Sequence, residues 1–289
     1  MGTPLKAEPF LFGDKLYQQC AAKVLPILVR QAHHEQPISY SDLAHEIEMP
    51  NPRNLNYVLG SIGQAIEYVK NKWNEDIPLI NFLVVNKGSH LPGEGIEEFI
   101  PKAGYKALSP KLREELYRYN CLDIFTYPKW ESVLHELNLQ PLVNDFAPLV
   151  KKATSYSHGG GGEGQKHKQL KEYIANNPKI IGLDAKFGKG ETERPLPSGD
   201  SLDVSFFRYK PHCQWVAAEV KSSISNEDDI YRGIFQCIKY KAVMEAELIL
   251  QDIKPDVRAI LVLEAKLTPK QVEMKNTLGV EVIEGIAPK

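Results

Sequence analysis

The chain contains no run of about 18 apolar residues, so a membrane-crossing segment is not expected. Its first residues, Met1 to Glu8, lack the apolar centre of a secretory leader. Cysteine is scarce: Cys20, Cys121, Cys213 and Cys237 are widely scattered, with no CxxC pair. That excludes zinc-finger spacing and a disulfide scaffold, and the expected state is reduced, mostly buried thiols in a cytoplasmic protein. Strong charge is absent too, since the formal net charge is −2. Residues 1–150 carry 14 basic against 18 acidic side chains, net −4, and residues 151–289 carry 21 against 19, net +2. Contact with a polyanion must therefore come from local patches. Gly159 to Gly162 are not followed by a lysine at phosphate-loop spacing, so they are not a nucleotide cradle. What is present is ordinary for a globular chain, 43% hydrophobic and 25% charged, and 289 residues suit two domains.

The most unusual stretch is residues 200–221. Asp203-Val204-Ser205-Phe206-Phe207 and Trp215-Val216-Ala217-Ala218-Glu219-Val220-Lys221 predict two strands joined by a turn at Lys210-Pro211-His212. Residues two apart in a strand share a face, so Glu219 and Lys221 project together. A hairpin brings Asp203 near them. Two carboxylates and an ammonium at the end of an apolar hairpin suggest a hard divalent cation.

In chain order, residues 10–35 predict an amphipathic helix from about Asp14, bent or split at Pro26. Ser39 or Ser41 is expected to cap a short helix that stops before Pro50 and Pro52, and Asn54 to cap a third, Leu55–Lys70. A strand is expected over Ile77–Val85, then a glycine-rich loop, Asn86–Gly95. Short helix, longer helix, strand and loop is winged-helix order. With "PISYSDLA", "LGSIGQAI" and "IPLINFLVVNKGSHLPGEG", this stretch resembles the DNA-binding half of the alkylguanine-DNA alkyltransferases. Their Pro-Cys-His-Arg nucleophile motif is replaced by Pro78-Leu79-Ile80-Asn81, so alkyl transfer does not carry over. The resemblance implies a DNA- or partner-recognition role for residues 1–150; a purely helical packing domain is the rival. Ser109-Pro110 predicts a capped helix, and another is expected over Lys129–Leu137. The aromatics Tyr117, Tyr119, Phe125, Tyr127 and Trp130 read first as core and second as a stacking surface for bases.

Residues 151–162 end in four glycines and read as a flexible linker between domains. Beyond it, residues 163–174 predict a helix with Glu163 and His167 on one face. A strand Ile180–Leu183, a polar loop, and the hairpin follow. Asp228 or Asp229 is expected to cap a long helix through Glu247, with Ile230, Ile234, Ile238 and Val243 toward the sheet. Strand 258–264, a helix opened by Thr268-Pro269 and strand 280–283 complete an αβββαβαβ order. On the long helix, Arg232, Gln236 and Tyr240 lie four apart and form one stripe.

Asp203, a gap of 15 residues, and Glu219-Val220-Lys221 resemble the PD-(D/E)XK nuclease superfamily, and Gln236 to Tyr240 matches the QxxxY motif of its RecB-like branch. Glu264-Ala265-Lys266 repeats the tripeptide without these companions. Leu202-Asp203 departs from the Pro-Asp dipeptide. The resemblance covers residues 163–289 and implies an α/β (α+β) fold with a mixed-sheet, restriction-endonuclease-like core. It implies a Mg²⁺-dependent deoxyribonuclease, Mn²⁺ able to substitute, acting in restriction, defence or repair. Asp203, Glu219, the Val220 carbonyl and Glu163 become metal ligands, with His167 competing with Glu163 and Asp200 with Asp203. Lys221 becomes the catalytic lysine, and Gln236, Tyr240 and Arg232 position DNA. The expected partner is DNA, with room for a homodimer or a protein partner and none for a membrane. A DNA-binding protein on a catalytically silent scaffold is the alternative.

Overall fold

A computed structural model of the chain describes residues 8–100, 104–143, 145–155, 164–209 and 212–288. The chain divides into two compact units between Asn144 and Asp145. That division lies ahead of the expected 151–162 linker, because helix Ala147–Ser155 belongs to the second unit: Phe146 and Leu149 pack into that unit's core. Residues 156–163, including Glu163, lie outside the described residues. Among the described residues no helix is long and apolar enough to cross a membrane.

The first unit is mainly helical: α1 (Glu8–Leu11), α2 (Leu16–His33), α3 (Tyr40–Glu46), α4 (Leu55–Trp73), α5 (Pro110–Thr126) and α6 (Trp130–Glu136). Pro26 neither splits nor ends α2. Its missing N–H is tolerated because Val24, Leu25, Ile27 and Leu28 are buried in the unit's core with residues of α4. Buried Arg30 grips Glu46 of α3 through two hydrogen bonds of 2.6 and 2.9 Å. Ser39 caps α3 by accepting from Asp42 N–H at 3.0 Å. Asn54 makes no side-chain cap on α4; Asn51 instead caps the tight turn Pro52–Asn54 that leads in. Ser109 caps α5, accepting from Leu112 N–H at 3.4 Å. Trp130 is fully buried and donates to Ile124 O at 2.8 Å, so it serves the core.

The strand expected over Ile77–Val85 shrinks. Residues Ile80–Leu83 form a 3₁₀ turn, and only β2 (Val84–Val85) pairs as a strand, in parallel with β1 (Ile38–Ser39). All four residues of the turn are buried, and Asn81 among them donates to Leu59 O at 2.8 Å. Burial of consecutive residues departs from the in-and-out alternation of a half-buried strand.

The second unit is a five-stranded mixed sheet in the order β3 (Glu191–Pro195), β4 (Ser201–Arg208), β5 (Gln214–Lys221), β6 (Val257–Leu263) and β7 (Glu281–Ile283). Neighbours β3, β4 and β5 are antiparallel; β5, β6 and β7 are parallel. With α7 (Ala147–Ser155), α8 (Gln165–Asn176), α9 (Glu227–Leu250) and α10 (Pro269–Thr277), this is an α+β architecture. Leu170 and Ile174 of α8 pack with Val204, Phe206, Val216, Ala218 and Val220 on one face. The other face meets α9: Trp215 and Ala217 cluster with Tyr240 and Met244, and Leu261 with Ile234. Strand β5 therefore alternates between the two layers, which puts Glu219 and Lys221 on the α9 side.

Two strand expectations change. Residues Pro178–Ile181 form a 3₁₀ turn, and β3 occupies the segment expected to be a polar loop. The cap of α9 is Asn226, in a capping box with Asp229. Its buried face runs through Ile230, Ile234, Cys237, Tyr240, Met244 and Leu248, leaving Ile238 at 38% exposure. The sheet-facing stripe is thus rotated toward Tyr240, because the i, i+3, i+4 row through Cys237 and Tyr240 is the one that meets the sheet.

Candidate active site

The β4–β5 ladder supplies the frame. Pairing runs from Arg208–Gln214 to Val204–Ala218 and stops there, so Asp203 stands just beyond the last pair. Leu202 belongs to the α9-side cluster and Val204 to the α8-side cluster. Asp203 lies at this slip in the alternation. Its Oδ2 accepts from Val220 N–H at 2.8 Å. Lys221 O accepts from Glu264 N–H on the β6 side at 3.2 Å. Alternation along β5 then turns the Val220 N–H and carbonyl together to the opposite side, toward Asp203.

Helix α8 approaches Asp203 from its own layer. His167 Nε2 lies 3.6 Å from Oδ2, and Lys171 Nζ lies 3.6 Å from Oδ1. The two residues are one helical turn apart, so a single helix face delivers both. Lys171 is 4% exposed and also bonded to Glu193 of β3.

From the α9 side comes a hydrogen-bond chain. Lys221 Nζ donates to Glu219 Oε1 at 2.5 Å and to Gln236 Oε1 at 3.3 Å. Gln236 Nε2 donates to the Tyr240 hydroxyl at 2.9 Å, and that hydroxyl donates to Ser201 O at 3.3 Å. Helix α9 can come this close because position 233 is glycine. A Cβ there would stand 2.7 Å from Leu261 Cδ1 and 3.1 Å from Lys221 Cε.

Burial sets the electrostatics. Glu219 is 3% exposed. Its burial pushes its carboxyl up to about 7, against the pull of Lys221 and with the push of Asp203's charge. Burial also acts to raise Asp203, but the neighbouring His167 imidazole, the charge of Lys221 and the Val220 N–H outweigh it and hold the group below the usual range. Burial works to lower Lys221, and the carboxylates of Glu219 and Asp203 overcome it, leaving the ammonium raised. The Tyr240 phenol is raised, chiefly by burial.

The fold thus gathers Asp203, Glu219, Lys221, Gln236 and Tyr240. The Arg232 guanidinium lies 4.0 Å from Asp229, one turn back on α9. Asp200 is engaged by Lys239 at 2.7 Å and Ser198 at 2.5 Å. The second tripeptide is structural: Glu264 accepts from Ser223 N–H at 2.5 Å, tying the exits of β5 and β6 together. The sequence reading missed Lys171 and Glu193. The spacing of His167 and Lys171 on one helix face was the available signal for the first. Glu193 had none, since β3 does not read as a strand.

Oxygen donors suit a hard cation. Mg²⁺ is held by one or two carboxylates plus waters, so Asp203, Glu219 and the Val220 carbonyl fit it by donor chemistry. Among the described residues no group of three or more His, Cys, Asp and Glu side chains is arranged to hold a metal, and Glu163 lies outside them. No family model matches the chain, and neither do curated proteins or solved structures.

Proposed function

We propose that the second unit is a metal-dependent nuclease that hydrolyses phosphodiester bonds of DNA. One observation carries this reading: a glutamate buried to 3% exposure, an aspartate across the sheet and a lysine bonded to that glutamate converge beside a Gln–Tyr pair on α9. A buried ion pair is weak support for stability, since a well-packed apolar pair of like volume serves the fold as well or better. Catalysis accounts for the charges where packing does not.

Asp203, Glu219 and the Val220 carbonyl would hold Mg²⁺, which when bound supplies a water of lowered pKa and offsets phosphate charge. The chain's own groups do the rest. Val220 N–H fixes the Asp203 carboxylate in place, and with His167 and Lys221 it keeps the group ionised. Lys221 offers its ammonium to the attacking water and to the charge that grows on the phosphate oxygens. Gln236, anchored by Tyr240, holds the lysine head in register. The water oxygen bonds to phosphorus and gives up a proton to solvent, the P–O ester bond breaks with its electron pair going to the leaving oxygen, and that oxygen takes up a proton from solvent. The first unit would bring DNA or a partner protein to this site.

The test is incubation of wild-type and Asp203→Ala protein with linear, circular and single-stranded DNA, in Mg²⁺ or in EDTA. Cleavage by the wild type in Mg²⁺ alone supports the reading. DNA that is bound but left uncut by folded wild-type protein favours a silent scaffold.

A further inference from the structure

Strand β3 loses its pairing at one residue. Glu191, Thr192, Arg194 and Pro195 all have partners on β4, while Glu193, which stands across from Asp203 in that register, has none in the ladder. Glu193 also has a φ of 56°, in the left-handed region that burdens any residue with a Cβ. Its carboxylate nevertheless reaches Lys171. The side chains differ sharply in exposure, 56% for Glu193 and 5% for Lys171. The same ammonium lies 3.6 Å from Asp203 Oδ1. Fold stability does not explain Glu193: an ion pair with one exposed member contributes little, and the backbone strain subtracts from it. Its position does suggest a role, because it draws the ammonium of Lys171 toward itself and off the Asp203 carboxylate.

We infer that Glu193 and Lys171 are a positioning pair that sets the affinity of the Asp203–Glu219 site for a divalent cation, an inference that rests on the nuclease reading above. An ammonium pressed against Asp203 competes with a metal for the same oxygen. With Glu193 in place, the competition is held at 3.6 Å. Removing Glu193 takes away the outward pull on this ammonium, and closure on Asp203 ends at ordinary contact of about 2.8 Å. At an effective dielectric near ~20, that step corresponds to about a tenfold change in affinity. Removing the ammonium instead should act in the opposite direction.

The experiment is titration of the full-length protein with Mn²⁺ alone, followed by electron paramagnetic resonance, with thermal melting and the Mg²⁺ dependence of DNA cleavage measured beside it. Glu193→Gly should bind Mn²⁺ about tenfold more weakly. Its melting temperature should hold or rise, because glycine accepts the positive φ. Cleavage by this variant should need more Mg²⁺ yet reach the wild-type rate at saturation. Lys171→Met should bind Mn²⁺ more tightly than the wild type, and by more than the about tenfold that Glu193→Gly loses, since it removes the whole charge; Lys171→Met with Glu193→Gly should recover the tight binding. Glu193→Gln removes the charge while keeping the strain, so it should weaken Mn²⁺ binding without the gain in melting temperature. It keeps the inference testable if Lys171→Met does not fold. Wild-type Mn²⁺ affinity in folded Glu193→Gly and Glu193→Gln, with wild-type Mg²⁺-dependent cleavage intact, would overturn the inference alone. No Mn²⁺ uptake by the folded wild type would overturn both the inference and the metal-dependent reading.

Discussion

Lys221 holds the two sides of the site together. It bonds Glu219 on its own strand and Gln236 on α9, and its 12%-exposed side chain keeps the charge close to the acids. Removing a preorganised charge donor of this kind costs about 10²–10³ in rate. Lys221→Ala should therefore lose cleavage by at least that factor while still retaining DNA in a mobility-shift assay. A variant that cuts at the wild-type rate in Mg²⁺ would end the assignment of this lysine. Position 233 is a second sensitive residue. Valine there would drive a branched side chain into Leu261 and the stem of Lys221. Overpacking costs about 1–3 kcal/mol, so Gly233→Val should melt several degrees lower and cleave poorly. Unchanged melting would mean that α9 does not pack as tightly against β5 and β6 as the geometry requires.

At the scale of elements, α9 has its cap at its start and its candidate chemistry, Gln236 and Tyr240, near its middle. The Asn226–Asp229 capping box closes its first turn, with mutual bonds of 3.0 and 3.2 Å. Gln236 lies more than two turns further on. Asn226→Ala should cost about 1 kcal/mol of stability and leave cleavage nearly unchanged, as read by melting and by DNA digestion at 25 °C. Much of this element level was legible in the sequence. The hairpin, the long helix and strand β6 of the second unit follow from apolar periodicity, because each packs an apolar face on a core; the first strand of the expected αβββαβαβ order falls on the 3₁₀ turn Pro178–Ile181 instead. The misses share a physical cause. Strand β3, Glu191-Thr192-Glu193-Arg194-Pro195, is an exposed edge with almost no apolar face, so periodicity could not mark it. Its invisibility hid Glu193. Residues 80–83 carry strand-like composition, but all four are buried in a 3₁₀ turn, with Asn81 bonded to Leu59 O. Pro26 reads as a bend or a split, and α2 runs unbroken through it with its neighbours buried.

At the scale of the molecule, each unit has its own buried clusters, and the candidate site draws all its described residues from the second. Residues 145–289 expressed alone should melt cooperatively and keep Mg²⁺-dependent cleavage, with weaker retention of DNA than the full chain. A fragment that folds but binds DNA as tightly as the full chain would remove the recognition role proposed for the first unit. The most direct measurement is digestion of supercoiled and linear DNA by the full-length protein, with Mg²⁺ or EDTA, beside Asp203→Ala. Cleavage should appear with wild-type protein in Mg²⁺ and vanish both in EDTA and in the folded variant. Equal cleavage by Asp203→Ala, or none by folded wild type on any DNA form in Mg²⁺, would contradict the assignment of this site as a nuclease centre.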